Sequence, residues 1–334
     1  MYQYDDPTVA ATLPTPAAPG AAGYFTDGSA GSGTPATILR SDYMNMLMLE
    51  LLNVVVAAGI TPSKTTYNQL LTAIRATTAD SARVVGLVAQ NNATTPNTQF
   101  DFSALSVTVR NPTTGATSVT QNSGTITNNI LNAGPAANGR DQAGVFGASQ
   151  WLRFYYIWNP TTSTLATISS SAAPGVGPAL PSGFTSWAYI GSVYYGSGST
   201  LAQGNIRGAR WQYSSSNSAL NAGTSTGLVA VPIPTLVPPE AGWFEIFFQQ
   251  LIVTAAASGG GYSVNCQITT QTNSIFNIGF SGVGTPSNAY SQSGPSKQIT
   301  NFNQSFAYAI TAGLGVAASV TIYVTGYSIP NGGE

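Results

Sequence analysis

The chain has 334 residues with 10 Lys+Arg against 11 Asp+Glu, so 6% are charged, where an average soluble domain carries about 25%. Having no histidine and one cysteine, it lacks Ser-His-Asp and Cys-His pairs, His-ligated metals, internal disulfides and thiolate zinc sites. Ten scattered basic residues form no phosphate-neutralising stripe for nucleic acid, and no cofactor is expected.

At the N-terminus, Met1-Tyr2-Gln3-Tyr4-Asp5-Asp6-Pro7 is acidic and lacks the basic and apolar regions of a signal peptide. Residues 7–37 hold Pro7, Pro14, Pro16, Pro19 and Pro35 among Ala, Gly and Thr. Proline fixes φ and removes donors, so residues 1–40 read as an extended arm that orders along a partner. A helix follows, with Ser41 as N-cap, Asp42 favoured by the helix dipole and Gly59 as stop. Met44, Leu47, Leu51, Val54 and Ala58 alternate by three and four, the spacing of a bundle seam. Met46, Met48, Leu49, Leu52 and Val55 lie outside that stripe, so this helix needs burial on several sides. A second helix is expected from Thr61 or Ser63 with Pro62 at N1, and Tyr67, Leu70, Leu71 and Ile74 make one face. Residues 41–78 then form a helical hairpin, with either a small core of its own or a bundle between subunits. The first helix is too apolar for a hairpin alone, and a near-zero net charge protects a free monomer poorly. Both favour the bundle. Leu51–Ile60, the most apolar helical stretch, is half the length needed to span a bilayer. A soluble protein made in a reducing cytosol, without membrane insertion, is expected.

From residue 81 onward the pattern is strand and turn. Phe100 and Phe102 lead into Leu105–Arg110, and the parity shift near Ala104 predicts a bulge. Trp151–Trp158 is apolar on both faces except for Arg153, which marks a central strand. An Asn159–Thr162 turn leads to a strand at Thr164–Ser169. Trp187–Tyr195 and Ile206–Tyr213 read as further strands, with Pro174–Gly183 as a loop between the earlier ones. Pro232, Pro234, Pro238 and Pro239 read as a linker between a β-rich domain of 79–231 and a C-terminal domain of 232–334. In the latter, Tyr262, Val264, Cys266 and Ile268 share a face; so do Phe306, Tyr308 and Ile310, and Val320, Ile322 and Val324. That is the pattern of a compact β-sandwich, with Cys266 inward as a small hydrophobe. The fold class is mainly β, with an extended arm and a short N-terminal helical hairpin.

Chemistry is sparse. The carboxylate pairs Asp5/Asp6 and Glu240/Glu245 are the remaining acid/base option, and Asp80, Asp101 and Asp141 stand alone. Glu240 and Glu245 would face apart in one strand, and Gly259-Gly260-Gly261 lacks the Lys of a phosphate loop. The chain is not expected to be an enzyme.

Two stretches resemble tailed-bacteriophage tail-fibre proteins. Gly23-Tyr24-Phe25-Thr26-Asp27-Gly28, Gly33-Thr34-Pro35-Ala36-Thr37, the first helix, Ala58-Gly59-Ile60-Thr61-Pro62-Ser63 and Asn68–Ile74 follow one another as in the start of that family. Asn138-Gly139-Arg140-Asp141, Trp151–Pro160, Leu180–Thr185 and Ile190–Val193 are similar to a β-module within many such fibres. The resemblance implies an intertwined homotrimer in the virion, made in the host bacterial cytoplasm. Its N-terminal region would dock on phage tail or baseplate proteins. Its C-terminal domain would meet a host surface receptor, either polysaccharide, lipopolysaccharide or an outer-membrane protein. Some fibres add an endosialidase or depolymerase domain, but no comparable acidic cluster occurs here. Receptor contacts are then expected on the loop Gly282–Lys297, which offers Asn288, Tyr290, Gln292 and Lys297. A structural tail or baseplate adaptor is the alternative.

Overall fold

A computed structural model of the chain describes residues 2–57, 60–78, 83–269, 275–301 and 303–330, divided into units of 1–80 and 81–334. In the first unit, residues 2–40 are extended and mostly exposed, apart from short turns at Pro7–Thr8 and Ala30–Ser32. Within them a loop is closed. Thr37 donates its amide to Thr26 O at 2.9 Å, and Ser29 and Thr34 exchange backbone bonds of 2.8 and 3.0 Å. Gly28, at φ 71°, is required there, because a Cβ would lie 2.5 Å from Ala36 N and Thr34 O. Phe25 sets its ring edge-on to Tyr43 at 5.4 Å, fastening this loop to helix α1 (Ser41–Ala57).

Ser41 is the first residue of α1 and not its cap, since Met44 already donates to Arg40 O. Helix α2 (Gln69–Thr78) begins well after the expected Thr61 or Ser63. The cause is local. Ser63 donates its amide to Gln69 Oε1 at 3.0 Å, while Gln69 Nε2 donates to Thr61 O at 2.8 Å. Ser63 Oγ also accepts from Thr66 Oγ1 at 3.2 Å, and side-chain bonds of this kind compete with the helical ladder. On the seam of α1, Leu51 and Val54 are half-buried, whereas Met44 and Leu47 are exposed. Val55, predicted off the seam, is fully buried. Ala58 and Gly59 lie outside the described residues.

In the second unit, β3 (Gln99–Arg110) pairs antiparallel with β1 (Arg83–Val85), β2 (Val88–Asn91) and β4 (Thr117–Asn129). Its pairing with β4 shifts register between Phe102 and Ala104, and again before Val107, so the predicted bulge is present. β6 (Gln150–Asn159) lies between β7 (Thr164–Ser170) and β8 (Ser186–Tyr195), and β5 (Gly139–Arg140) adds to β7 in parallel. Arg110 to Trp187 is the single residue pair joining β3 to β8. The layers face each other, with Phe154 stacked 5.7 Å from Phe100 and tilted against Phe102 at 5.3 Å. Ile206–Tyr213 is not one strand. Gly208, at φ 59°, splits it into the hairpin β9 (Gly204–Arg207) and β10 (Arg210–Gly223), a tight two-residue turn for which glycine is suited.

The remaining strands are β11 (Val229–Pro232), β12 (Trp243–Thr254), β13 (Gly261–Thr269), β14 (Ile275–Val283), β15 (Ala289–Gln292), β16 (Ser296–Thr300), β17 (Ser305–Leu314) and β18 (Val316–Ser328). β11, β17, β13 and β14 form a four-stranded sheet, and the others join a 14-stranded one. The sheets pack through Phe244 on Phe306 at 6.3 Å and Phe248 on Phe276 at 5.7 Å. The mainly β fold is compatible with the sandwich pattern, and Val264, Cys266, Ile268, Phe306 and Ile310 lie in the hydrophobic core.

The boundary expected at 231/232 is not there. β18 pairs with both β12 and β10, and Trp211 stacks on Tyr327 at 5.9 Å. The proline-rich segment is held down: Trp151 Nε1 donates to Pro234 O and the Tyr213 hydroxyl to Leu236 O, both at 2.8 Å. Prolines lack donors but keep their carbonyls, so a run that reads as linker can still be anchored through acceptors.

Candidate functional site

The predicted receptor loop is a broken edge strand. β15 and β16 pair with one side of β12, and Gly294 N bridges between them to Phe248 O at 3.0 Å. Asn288 and Gln292 are exposed. Tyr290 is half-buried, stacked on Tyr262 at 4.4 Å and 11°, and its hydroxyl accepts the Thr285 amide at 2.6 Å. Lys297 holds its ammonium 5.4 Å from the Phe276 ring. Tyr290 pairs with Val253 and Lys297 with Ile246; at ~3.4 Å per residue the two stand roughly 24 Å apart along the strand. The four residues therefore line one edge and do not converge on a pocket.

The carboxylates also separate. Glu240 lies in the anchored segment, not in a strand, and its carboxylate takes a two-pronged contact from Arg153, Nε at 3.0 Å and Nη2 at 3.2 Å. Ser192 Oγ donates to the same carboxylate, and the Tyr189 hydroxyl lies 2.8 Å from Ser192 Oγ. Tyr327 donates to Ser192 O at 2.7 Å. Burial pushes the phenols of Tyr189 and Tyr327 well above the usual range. Both Glu240 oxygens are engaged, so the cluster works as a fastener between β6, β8 and the 233–242 segment. Glu245 pairs separately with Arg210, and Asp5 with Lys64 at 2.7 Å. Asp80 lies outside the described residues. Asp101 accepts from Thr127 at 2.6 Å and from Asn92 at 3.0 Å.

The fibre-like residues of the second unit hold a loop in shape. Arg140, 3% exposed, donates to Ile130 O at 2.9 Å and Ala143 O at 3.0 Å. Asn138, at φ 60°, accepts the Thr167 amide at 2.9 Å.

A feature missed from the sequence is a cleft of about 290 Å³ between β2 and β9, lined by Gln90, Asn91, Asn92, Gln203, Asn205 and Ser214. The residues are spread over more than a hundred positions, and only the pairing of β2 with β9 brings them together. Among the described residues, no group of three or more His, Cys, Asp or Glu gathers to hold a metal. None of their helices is long and apolar enough to cross a membrane.

No family model matches the sequence. Uncharacterized protein StfP of Escherichia coli strain K12 is 52% identical over 52 residues, which span 16% of this chain and 25% of that protein. Among solved structures, the Arthrobacter globiformis T6 isomalto-dextranase complexed with panose aligns over 74% of this chain and 39% of its own. Its identity is 9% and its TM-score 0.16, too low to carry any argument about fold or activity.

Proposed function

We propose that the chain is a bacteriophage tail-fibre protein, a homotrimer that attaches the virion to the host surface by adhesion and without catalysis. The observation that carries this reading is the ordered motif series of residues 23–74. Within it, the loop closed by Gly28 is fastened to α1 through Phe25, and α1 leaves Met44 and Leu47 exposed. An apolar helix with an open seam suits a three-chain bundle. The first unit then docks on tail or baseplate proteins and the second meets the receptor. Three chains and several fibres multiply weak contacts into firm attachment.

The test is adsorption competition. Purified chain at three times the monomer mass in light scattering, which blocks phage adsorption to intact cells, bears the reading out. Binding only to tail proteins would make it an adaptor instead.

A further inference from the structure

We propose that the cleft between β2 and β9 binds a neutral saccharide; this rests on the adhesion reading and gives it a ligand class and a place. Gln90 on β2 stands directly opposite Asn205 on β9, and Asn205 stands opposite Gln212 on β10. Strands lie ~4.8 Å apart, so three carboxamides recur at that spacing across one face; Gln90 and Asn205 line the cleft, and Gln212 continues the row outside its lining. Among the described residues these three side chains have no hydrogen-bond partner, while their neighbours are committed. Asn91 donates to Pro96 O at 2.9 Å and accepts the Gly204 amide at 2.8 Å. Asn92 accepts the amides of Thr94 and Thr95 at 3.0 Å, and Gln203 donates to Leu201 O at 2.8 Å. The result is a fixed wall beside open donors and acceptors.

Chemistry narrows the occupant. A primary amide offers two donors and an acceptor, which suits hydroxyl groups that both donate and accept. No charged side chain lines the cleft, which disfavours an ion, and no aromatic ring lines it for a stacked base. A peptide adding as a strand needs a free edge, and β2 and β9 are paired on both sides. The volume, about 290 Å³, sits at the small end of ligand sites and fits part of a glycan chain. Arg207, two residues along β9 from Asn205, lies outside the cleft lining.

The experiment uses the full chain, an array of neutral and acidic bacterial polysaccharide fragments, and intact host cells. A Gln90→Ala/Asn205→Ala double variant is expected to lose at least tenfold in affinity for the neutral fragments, with unchanged thermal melting and oligomeric mass. Ser214→Trp, which fills the cleft from its rim, should do the same, and Arg207→Ala should bind as the wild type does. If wild-type chain binds cells and both cleft variants bind equally well, this site is wrong and the adhesion reading stands. If wild-type chain binds neither cells nor fragments, the adhesion reading fails and takes the site with it. Preference for acidic fragments lost in Arg207→Ala, or a change of oligomeric mass in the double variant, would also overturn the assignment.

Discussion

At the scale of single residues, the two arginine–glutamate pairs show how burial decides what a charge contributes. Arg153 and Glu240 are each 12% exposed, whereas Arg210 is 42% exposed beside Glu245. Removing one partner of a buried pair leaves an uncompensated charge and costs about 3–5 kcal/mol; a solvent-screened pair contributes ~0–1 kcal/mol. Glu240→Ala should therefore shift the denaturant midpoint several times further than Glu245→Ala, and equal shifts would refute the fastener role. Cys266 gives a pH prediction. Burial pushes its thiol up to about 12 from 9.0, so the unfolded chain releases this proton first as pH rises. Its contribution is complete below pH 9 and is lost between pH 9 and 12 at ~1.4 kcal/mol per unit. Native protein should thus resist thiol labelling at pH 8 yet label at once in guanidinium, and Cys266→Ala should flatten the alkaline loss of stability. The inward position of Cys266 was legible from the alternation of Tyr262, Val264 and Ile268. The partner of Glu240 was not, because Arg153 lies 87 positions away and pairing at that range follows from topology, which local pattern does not carry.

At the scale of elements, period and punctuation were readable wherever a strand or helix follows its own side chains. The bulge in β3 showed as a parity shift, and β6 showed as apolar on both faces. Misreadings arose where side chains rewire the backbone. Thr61, Ser63 and Gln69 hold the α1–α2 connection in a bonded loop, which delays α2, and Gly208 turns one apparent strand into two. The edge strands β15 and β16 were hidden because most of their residues are polar and exposed, with Ile299 the one buried side chain, so burial imposed no alternation on the sequence. The helices carry their own prediction. Met44 and Leu47 are 45% and 42% exposed in the single chain, so a charge there should cost that chain little. In a trimer bundle, the same charge would be buried three times around an axis. Leu47→Asp should convert the assembly to monomers in light scattering while circular dichroism of the β structure stays unchanged. A mass unaffected by Leu47→Asp would remove α1 from the interface.

At the scale of the whole molecule, the decisive feature is that the chain returns. β18 closes the sequence by inserting between β12 and β10, and its Tyr327 fits against Trp211, Trp151 and Tyr213. A sequence reading looks for boundaries in proline and glycine and cannot see a strand inserted a hundred residues later. The consequence can be tested with fragments. Residues 81–334 keep every strand pairing of the second unit and should melt cooperatively at the temperature of the same transition in the full chain. A fragment of 81–231 loses β12 and β18, which strips Trp211 of Tyr327, leaves it stacked on Phe100 alone, and opens the paired edge of β10. A fragment of 232–334 loses β11 through Val231, the fourth strand of the smaller sheet, and exposes the other edge of β18. Long open edges bind other chains, so both pieces should aggregate or lack near-ultraviolet dichroism when made alone. Mixing them during refolding should restore the aromatic signal, since the missing pairing is between the pieces. Independent cooperative melting of either piece would reinstate two domains and reduce the shared sheet to a contact between them.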